Sequence, residues 1–305
     1  MARRGQHTSP EERAAAARER LGQLGDQLTA AVASIQGSDE FIAYLRTQAR
    51  FHSYSFRNTL LIMMQRPDAT QVAGYQTWQA LGRQVRKGET GIRIYAPMTF
   101  RAKEGQEGGD SATRVGFRSV AVFDVSQTDG EPLPDISPAA LIGEDGDELY
   151  TALAAVTQAQ GVQLTYDCPP GCDEADGAYL RRSRTIYIKP QARLQMTLAL
   201  AHELAHANDD QLAESSKAER ETVAEGVAFM TLAAFGLETG AHSFRYIAGW
   251  NGDQDGRATL MQCMQRIQRI AGVLIDQATA HLDPEASAQQ PESETAAELE
   301  QARAA

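Results

Sequence analysis

The stretch Ala199-Leu200-Ala201-His202-Glu203-Leu204-Ala205-His206-Ala207 decides how the chain is read. Two histidines four residues apart stand about 40° apart around an α-helix, so His202 and His206 can aim their imidazoles at one point, with Glu203 beside them. This is the H-E-x-x-H pattern of a zinc site. Zn²⁺ takes imidazole nitrogen at about 2.0 to 2.1 Å, and the neighbouring carboxylate can accept a proton from water as it attacks a carbonyl. The chemistry expected is peptide hydrolysis, with Glu203 as general base. From Met196 to Ala207 every residue is apolar except Thr197, His202, Glu203 and His206. A helix apolar all round is buried, and buried ionisable groups need partners or a metal.

A catalytic site of this type needs a third protein ligand and an open position. Residues 207–212 contain no histidine, so a glutamate on the next helix is the candidate. In Glu219-Arg220-Glu221-Thr222-Val223-Ala224-Glu225, the residues Glu221 and Glu225 share a helix face that continues through Ala228 and Leu232. Glu221 is read as the third ligand. Glu225 is read as the acceptor for the outer N–H of a ligand histidine, and the reverse order also satisfies the spacing. The expected cofactor is one Zn²⁺ per chain, and Mn²⁺ or another divalent ion also suits such donors. A donor for the oxyanion of the scissile carbonyl is also required, for which Tyr246 and His242 are the candidates.

The surrounding chain is long enough for two domains: 305 residues, 42% hydrophobic. No run of 18 apolar residues occurs, and Met1 to His7 lacks the apolar segment of a secretory signal, so a cytoplasmic protein with no membrane partner is expected. Three cysteines without secretory context are read as reduced thiols. Cys168-Pro-Pro-Gly-Cys172 has no second cysteine pair to complete a structural metal site.

The net charge of −11 is unevenly divided. Residues 1–135 carry 17 Lys+Arg against 15 Asp+Glu, and residues 136–305 carry 12 against 25. Between 46 and 93 the cations Arg46, Arg50, Arg57, Arg66, Arg83, Arg86, Lys87 and Arg93 face only Asp68 and Glu89, a net +6 in an acidic protein. Such asymmetry points to a nucleic-acid-binding half. Single-strand binders combine a basic groove with aromatic platforms. Tyr54, Phe56, Tyr75 and Trp78 interleave with Arg57, Arg83, Arg86, Lys87 and Arg93 in this way.

Local patterns predict the order of elements. Ser9-Pro10-Glu11-Glu12 starts a helix by its capping box, Ser38-Asp39 caps a second through about Arg50, and Ser53 to Gln65 reads as a third, stopped before Pro67. Residues 71–74 are extended and 75–81 a short helical piece. Ile92 to Phe100 and Val115 to Val125 read as a hairpin around the glycine-rich loop from Lys103 to Asp110. A helix from about Asp147 to Gln160 is ended by Gly161. It is followed by a strand over 162–166, a hairpin over 179–189, the His202 helix, the Glu221 helix to about Phe235, and a long helix over roughly 255–281. The expected organisation is α+β: a helical extension (1–37), a single-stranded-DNA-binding domain (38–130), a linker (131–146), a zincin-like metallopeptidase domain (147–282) and a disordered acidic tail (283–305).

Tyr54-Ser-Phe-Arg57-Asn58-Thr-Leu-Leu-Ile-Met-Met-Gln65, Gly74-Tyr-Gln-Thr-Trp78, Gly82-Arg-Gln-Val-Arg-Lys-Gly88-Glu-Thr-Gly-Ile92 and Val122-Phe-Asp-Val-Ser-Gln-Thr128 resemble the N-terminal single-stranded-DNA-binding domain of ArdC-type antirestriction proteins. His202 to His206, the 221–228 segment and Tyr246-Ile-Ala-Gly-Trp250 resemble their zincin-type C-terminal domain. The resemblance implies a plasmid- or mobile-element-encoded protein that shields incoming DNA from restriction during conjugation. Its partners would be single-stranded DNA, contacted by Tyr54, Arg57, Asn58, Tyr75, Trp78, Arg83, Arg86, Lys87 and Arg93, and a protein substrate such as a restriction-system component. Arg220 stands where such proteins often carry a further glutamate. A DNA-occluding shield with a non-catalytic metal site, or a regulatory peptidase that cleaves a repressor, are the alternatives.

Overall fold

The described residues fall into two compact units, one within 32–59 and 132–291 and the other containing 60–131. The structure, a computed structural model, describes residues 38–101, 113–133, 146–237 and 254–283, together with isolated positions between 16 and 35. The helix expected from Ser9, the loop from Lys103 to Asp110, most of the linker and the acidic tail lie outside the described residues.

The elements run α1 (Ser38–Arg50), α2 (Phe56–Gln65), β1 (Val72–Gly74), α3 (Tyr75–Ala80), β2 (Arg83–Val85), β3 (Ile92–Arg101), β4 (Thr113–Asp124), β5 (Thr128–Gly130), α4 (Asp147–Ala159), β6 (Gln163–Thr165), β7 (Gly177–Leu180), β8 (Thr185–Ile188), α5 (Arg193–Asn208), α6 (Lys217–Ala234) and α7 (Gln254–Leu282). Mixed helix and strand is the expected α+β class. Helix α2 starts at Phe56 rather than Ser53, because the Ser55 hydroxyl accepts the Asn58 N–H at 3.3 Å and so caps the helix there.

In the first unit β4 pairs antiparallel with both β1 and β3, giving the order β1-β4-β3, and β2 pairs with β5 as a separate ribbon. Asp124 is the buried polar hub. Its carboxylate accepts from the backbone of Thr70 (2.8 Å), Gln71 (3.2 Å) and Ser126 (3.0 Å). Gln127 completes a capping box by accepting the Asp124 N–H at 2.9 Å. Burial acts to raise the Asp124 pKa, but these bonds outweigh it and hold the carboxyl below its ordinary value.

In the second unit β8 lies between β6, to which it is parallel, and β7, to which it is antiparallel, leaving β7 at one edge. Helix α4 ends where the sequence predicts, since Gly161 takes a φ of +67° that L side chains avoid. Leu149, Leu153, Leu200, Leu204, Val227, Met230, Ile267 and Leu274 are fully buried between the helices. Each contributes about 1.5 to 3 kcal/mol relative to exposure. Helix α1 packs on α6. The first domain expected over 38–130 and the observed units therefore differ over 38–59, where the apolar face of α1, with Phe41, Tyr44 and Leu45 fully buried, is covered within the second unit.

Asp209 caps the C-terminal end of α5, and Arg266 of α7 grips its carboxylate with Nε at 3.1 Å and Nη2 on the other oxygen. The two side chains are 5% and 2% exposed. Removing one partner would strand a buried charge, so Arg266→Ala is expected to destabilise the protein by about 3 to 5 kcal/mol. Exchanging both residues for apolar ones (Asp209→Leu with Arg266→Met) should recover most of the loss. Urea denaturation measures both. A loss below about 1 kcal/mol in the single variant would mean that the pair is not desolvated.

Candidate metal centre and nucleic-acid interface

The metal centre rests on two helices. Helix α5 buries Met196, Leu200, Ala201, Leu204 and Ala205, which fixes the direction in which His202, Glu203 and His206 project. Helix α6 starts at a capping box, in which the Ser216 hydroxyl accepts the Glu219 N–H and the Glu219 carboxylate accepts the Ser216 N–H at 2.8 Å. That box sets the rotation of the helix two residues before Glu221. The imidazoles of His202 and His206 meet edge to face, with centroids 4.8 Å apart. His202 Nε2 is 3.5 Å from Glu221 Oε2. One donor atom from each of His202, His206 and Glu221 lies within 4.8 Å of the others. Two ligands of a tetrahedral ion with bonds of about 2.0 to 2.1 Å are about 3.4 Å apart, so the three side chains fit a divalent metal with little adjustment.

Electrostatics set the donors differently. Burial, aided by the nearby His202, pushes the His206 pKa down to about 4, so His206 is neutral with a lone pair free to bind a cation. Burial also acts to lower the His202 pKa, but the Glu221 bond and the charges of Glu203, Glu221 and Glu225 overcome it and leave it raised. The His202 bond holds the Glu221 carboxyl low, in its ligating form. Glu203, only 7% exposed, is pushed up to about 7 by burial. Glu225 sits half-buried one turn beyond Glu221, close enough for its charge to act on His202. Tyr246 and His242 lie outside the described residues.

Sequence reading places a hairpin over 179–189 but missed that its first strand holds Glu203. The backbone N–H of Tyr179 in β7 donates to the Glu203 carboxylate. Gly177 of the same strand lies so close that a Cβ there would meet Glu203 Cγ at 3.0 Å and the Tyr187 carbonyl oxygen at 3.2 Å. No local pattern around Gly177 announces this, because the contact joins residues 26 positions apart.

The residues expected to contact DNA are divided between the two units. Trp78 is a correction: its ring is 2% exposed and its Nε1–H donates to the Phe123 carbonyl at 2.9 Å, so it packs the core and offers no face to a base. Asn58 is also buried, at 8% exposure. Tyr54, Arg57 and Asn58 belong to the second unit. There Tyr54 packs edge-on to Phe51, burial pushes its pKa up to about 12, and the Arg57 guanidinium stands 5.7 Å over the Phe56 ring. Arg83 is half-buried, and its guanidinium stitches β2 to β5 through the Thr128 hydroxyl (2.8 Å) and the carbonyls of Thr128, Gly130 and Glu131.

Tyr75, Arg86 and Lys87 do come together, in an open groove of about 760 Å³ shared with Glu89 and Asp129. Arg86 is paired there with Glu89 at 2.8 Å and Asp129 at 3.4 Å. Arg93 is exposed on β3. Phe117 was missed: it is 43% exposed and its ring meets Tyr95 edge-on at 6.2 Å. Its place opposite Pro97 puts it on the sheet face that carries Tyr95 and Arg93. Strand alternation could have found it.

Residues 20–124 match the family described as the N-terminal domain of anti-restriction factor ArdC. That segment is an ArdC N-terminal domain. The match takes in the motifs from Tyr54 to Asp124, and the segments holding His202, His206 and Glu221 lie beyond it. The ArdC N-terminal domain also spans both compact units, since it includes α1. An uncharacterized protein of Bacillus anthracis is 23% identical over 287 residues, covering 78% of this chain and 47% of that protein, so the chain spans about half the length of this relative. Two crystal structures of the antirestriction ArdC protein from plasmid R388 are similar. The metal-free one is 20% identical with a TM-score of 0.46, covering 73% of this chain and 84% of that one. The Mn(II)-bound one is 19% identical with a TM-score of 0.46, covering 78% and 98%. Among the described residues no helix is long and apolar enough to cross a membrane.

The burial of Glu203 has a measurable consequence in the metal-free protein. Between its ordinary pKa of 4.5 and the raised value of about 7, the folded state keeps a proton that the unfolded chain releases, so its contribution to stability falls as pH rises through that window. Glu203→Gln should therefore exceed the wild type by about 1 to 3 kcal/mol at pH 8 and by little in acid. Denaturation of both proteins across this range checks it. A gain of equal size at every pH would show that Glu203 is not the titrating group.

Proposed function

We propose that the chain is an antirestriction protein of the cytoplasm, in which the first part binds single-stranded DNA and the second carries a zinc-dependent, zincin-like metallopeptidase site. The observation that carries the enzymatic half is the convergence of His202, His206 and Glu221 to within 4.8 Å beside the buried carboxylate of Glu203. Two imidazoles and one carboxylate are the ligand set of zinc peptidases with an open fourth position. A divalent ion held there acts as a Lewis acid on a carbonyl and makes water more acidic. Glu203, set to hold a proton near neutral pH, accepts one from the attacking water and passes it to the departing amine. The exposed edge of β7 can hold the extended substrate through main-chain bonds, and Tyr179 and Gly177 keep the Glu203 carboxylate against that strand. The protein substrate proposed is a component of the restriction machinery.

Elemental analysis should find about one zinc per chain, lost in His202→Ala and His206→Ala. Glu225→Gln should weaken binding by about 10- to 100-fold and Glu221→Ala by more. Glu203→Gln should keep the metal and abolish cleavage and restriction protection together. A variant that keeps the metal and still protects DNA fully would leave a DNA-occluding shield as the function. Cleavage confined to a repressor would leave a regulatory peptidase.

The DNA-binding half is supported by the +6 charge between residues 46 and 93 and by exposed aromatic rings beside cations, Tyr75 near Lys87 and Phe117 on the face of Arg93. Tyr75→Ala and Phe117→Ala should each cost about 1 to 3 kcal/mol of binding without changing its salt dependence, because stacking releases no counterions. Lys87→Ala should reduce the log-log salt slope by about 0.7. Trp78→Ala should instead destabilise the fold by about 3 to 5 kcal/mol. Fluorescence anisotropy on a labelled oligonucleotide at several salt concentrations separates these effects. Binding that ignores salt, or that prefers duplex, would remove this half of the reading.

A further inference from the structure

The loop between β6 and β7 holds two of the three cysteines, and neither the metal centre nor the DNA-binding surface uses them. Its sequence Cys168-Pro169-Pro170-Gly171-Cys172 folds as a tight turn. The Cys172 N–H donates to the Pro169 carbonyl at 3.1 Å, and Gly171 takes a φ of +86°. Proline followed by a glycine of positive φ at the two central positions is the signature of a type II turn. Cys168 precedes the turn and Cys172 closes it, and the Pro169 carbonyl that accepts the Cys172 N–H also accepts the Cys168 thiol at 3.6 Å. The Cys168 thiol is hydrogen-bonded to the Tyr187 hydroxyl of β8, and Cys172 acts on that same hydroxyl electrostatically. Cys168 is exposed and Cys172 half-buried, whereas Cys263 is sealed between helices and burial pushes its pKa up to about 12. A tight turn between an accessible thiol and a second one, with both residues on the same carbonyl, is an arrangement that favours intramolecular oxidation.

We propose that Cys168 and Cys172 are a reversible thiol–disulfide pair, closed across the Pro169–Cys172 turn by an oxidant of the peroxide or disulfide class. With a peroxide, the Cys168 thiolate attacks the O–O bond, giving a sulfenic acid and one water. The Cys172 thiolate then displaces the second oxygen as water and forms the S–S bond. Two thiols lose two electrons and two protons, and the peroxide becomes two waters. With glutathione disulfide, Cys168 forms a mixed disulfide and releases one glutathione, and Cys172 releases the other. Closure removes the Cys168 hydrogen bond to Tyr187 and tethers the loop at Cys172, whose carbonyl accepts the Ala175 N–H at 3.0 Å just ahead of β7. A short, exposed loop makes such a bond easy to reduce again.

The test uses the purified full chain, equilibrated in reduced and oxidised glutathione mixtures and then denatured and labelled with a maleimide. The wild type should pass from three labelled cysteines to one, with the remaining label on Cys263 and a cross-linked peptide joining 168 to 172. Dithiothreitol should restore all three. Cys168→Ser and Cys172→Ser should each carry a single glutathione adduct in place of the cross-link. Hydrogen exchange at the Cys172 and Ala175 amides should slow on oxidation in the wild type and not in either variant. Separate glutathione adducts on both cysteines, a disulfide between two chains, or unchanged exchange after closure would each overturn the proposal. None of these readouts depends on DNA binding or on peptidase activity.

Discussion

Burying ionisable side chains on an otherwise apolar helix costs free energy, and the second unit is organised around offsetting that penalty. His202, Glu203 and His206 are held at the interface of α5 with α6 and with β7, because Leu200, Ala201, Leu204 and Ala205 commit the rest of α5 to the core. Each of the three charges meets a different remedy. Glu221 comes from α6 to His202, and the Tyr179 N–H comes from β7 to Glu203. His206 stays neutral. Two of the candidate donors are left as a divalent cation needs them, His206 neutral and Glu221 ionised, whereas His202, whose pKa its carboxylate neighbours raise, would release its proton on binding.

That arrangement depends on the ends of the helices being fixed. Asp209 and Arg266 bind the end of α5 to α7 through a desolvated pair, and the Ser216–Glu219 box sets the start of α6. Between them runs a short turn in which the Asp209 carboxylate also accepts the Gln211 N–H. Gly226 then lets α6 and α7 approach until a Cβ there would overlap Ile267. A metal site tolerates displacements of only a few tenths of an ångström, so these anchors matter to Glu221 although none of them touches an imidazole.

The first unit solves a different problem. Around the long β3–β4 hairpin the other strands and the helix α3 are short and give little apolar area, so polar side chains with several donors or acceptors take structural roles. Asp124 and Gln127 tie β4 to the segments around Thr70 and Thr90, and Arg83 ties β2 to β5. The segment Val122 to Thr128 is thus explained by hydrogen bonding within the fold. Cations that look available in the sequence are partly consumed in this way, and any nucleic-acid surface falls to the exposed remainder, Lys87 and Arg93 with the rings of Tyr75 and Phe117.

The sequence by itself determined the order and type of nearly every described element, because those follow from periodicity, caps and breakers within a few residues: Ser38 starts a helix, Gly161 ends one, and the 92–124 hairpin alternates. It also picked out His202 and His206 as the candidate metal donors on α5, since i and i+4 on one helix fix a geometry without any tertiary information. Tertiary structure alone decided the rest. The burial of Trp78 and the spent guanidinium of Arg83 depend on strands more than 40 residues away, at Phe123 and Thr128. The packing of α1 on α6 reassigns residues 38–59 to the second unit. Gly177 gained its place against Glu203, and Asp209 its partner Arg266, only when distant segments met. Local sequence encodes torsions and faces, whereas which faces meet is settled by the competition of all the buried surfaces at once.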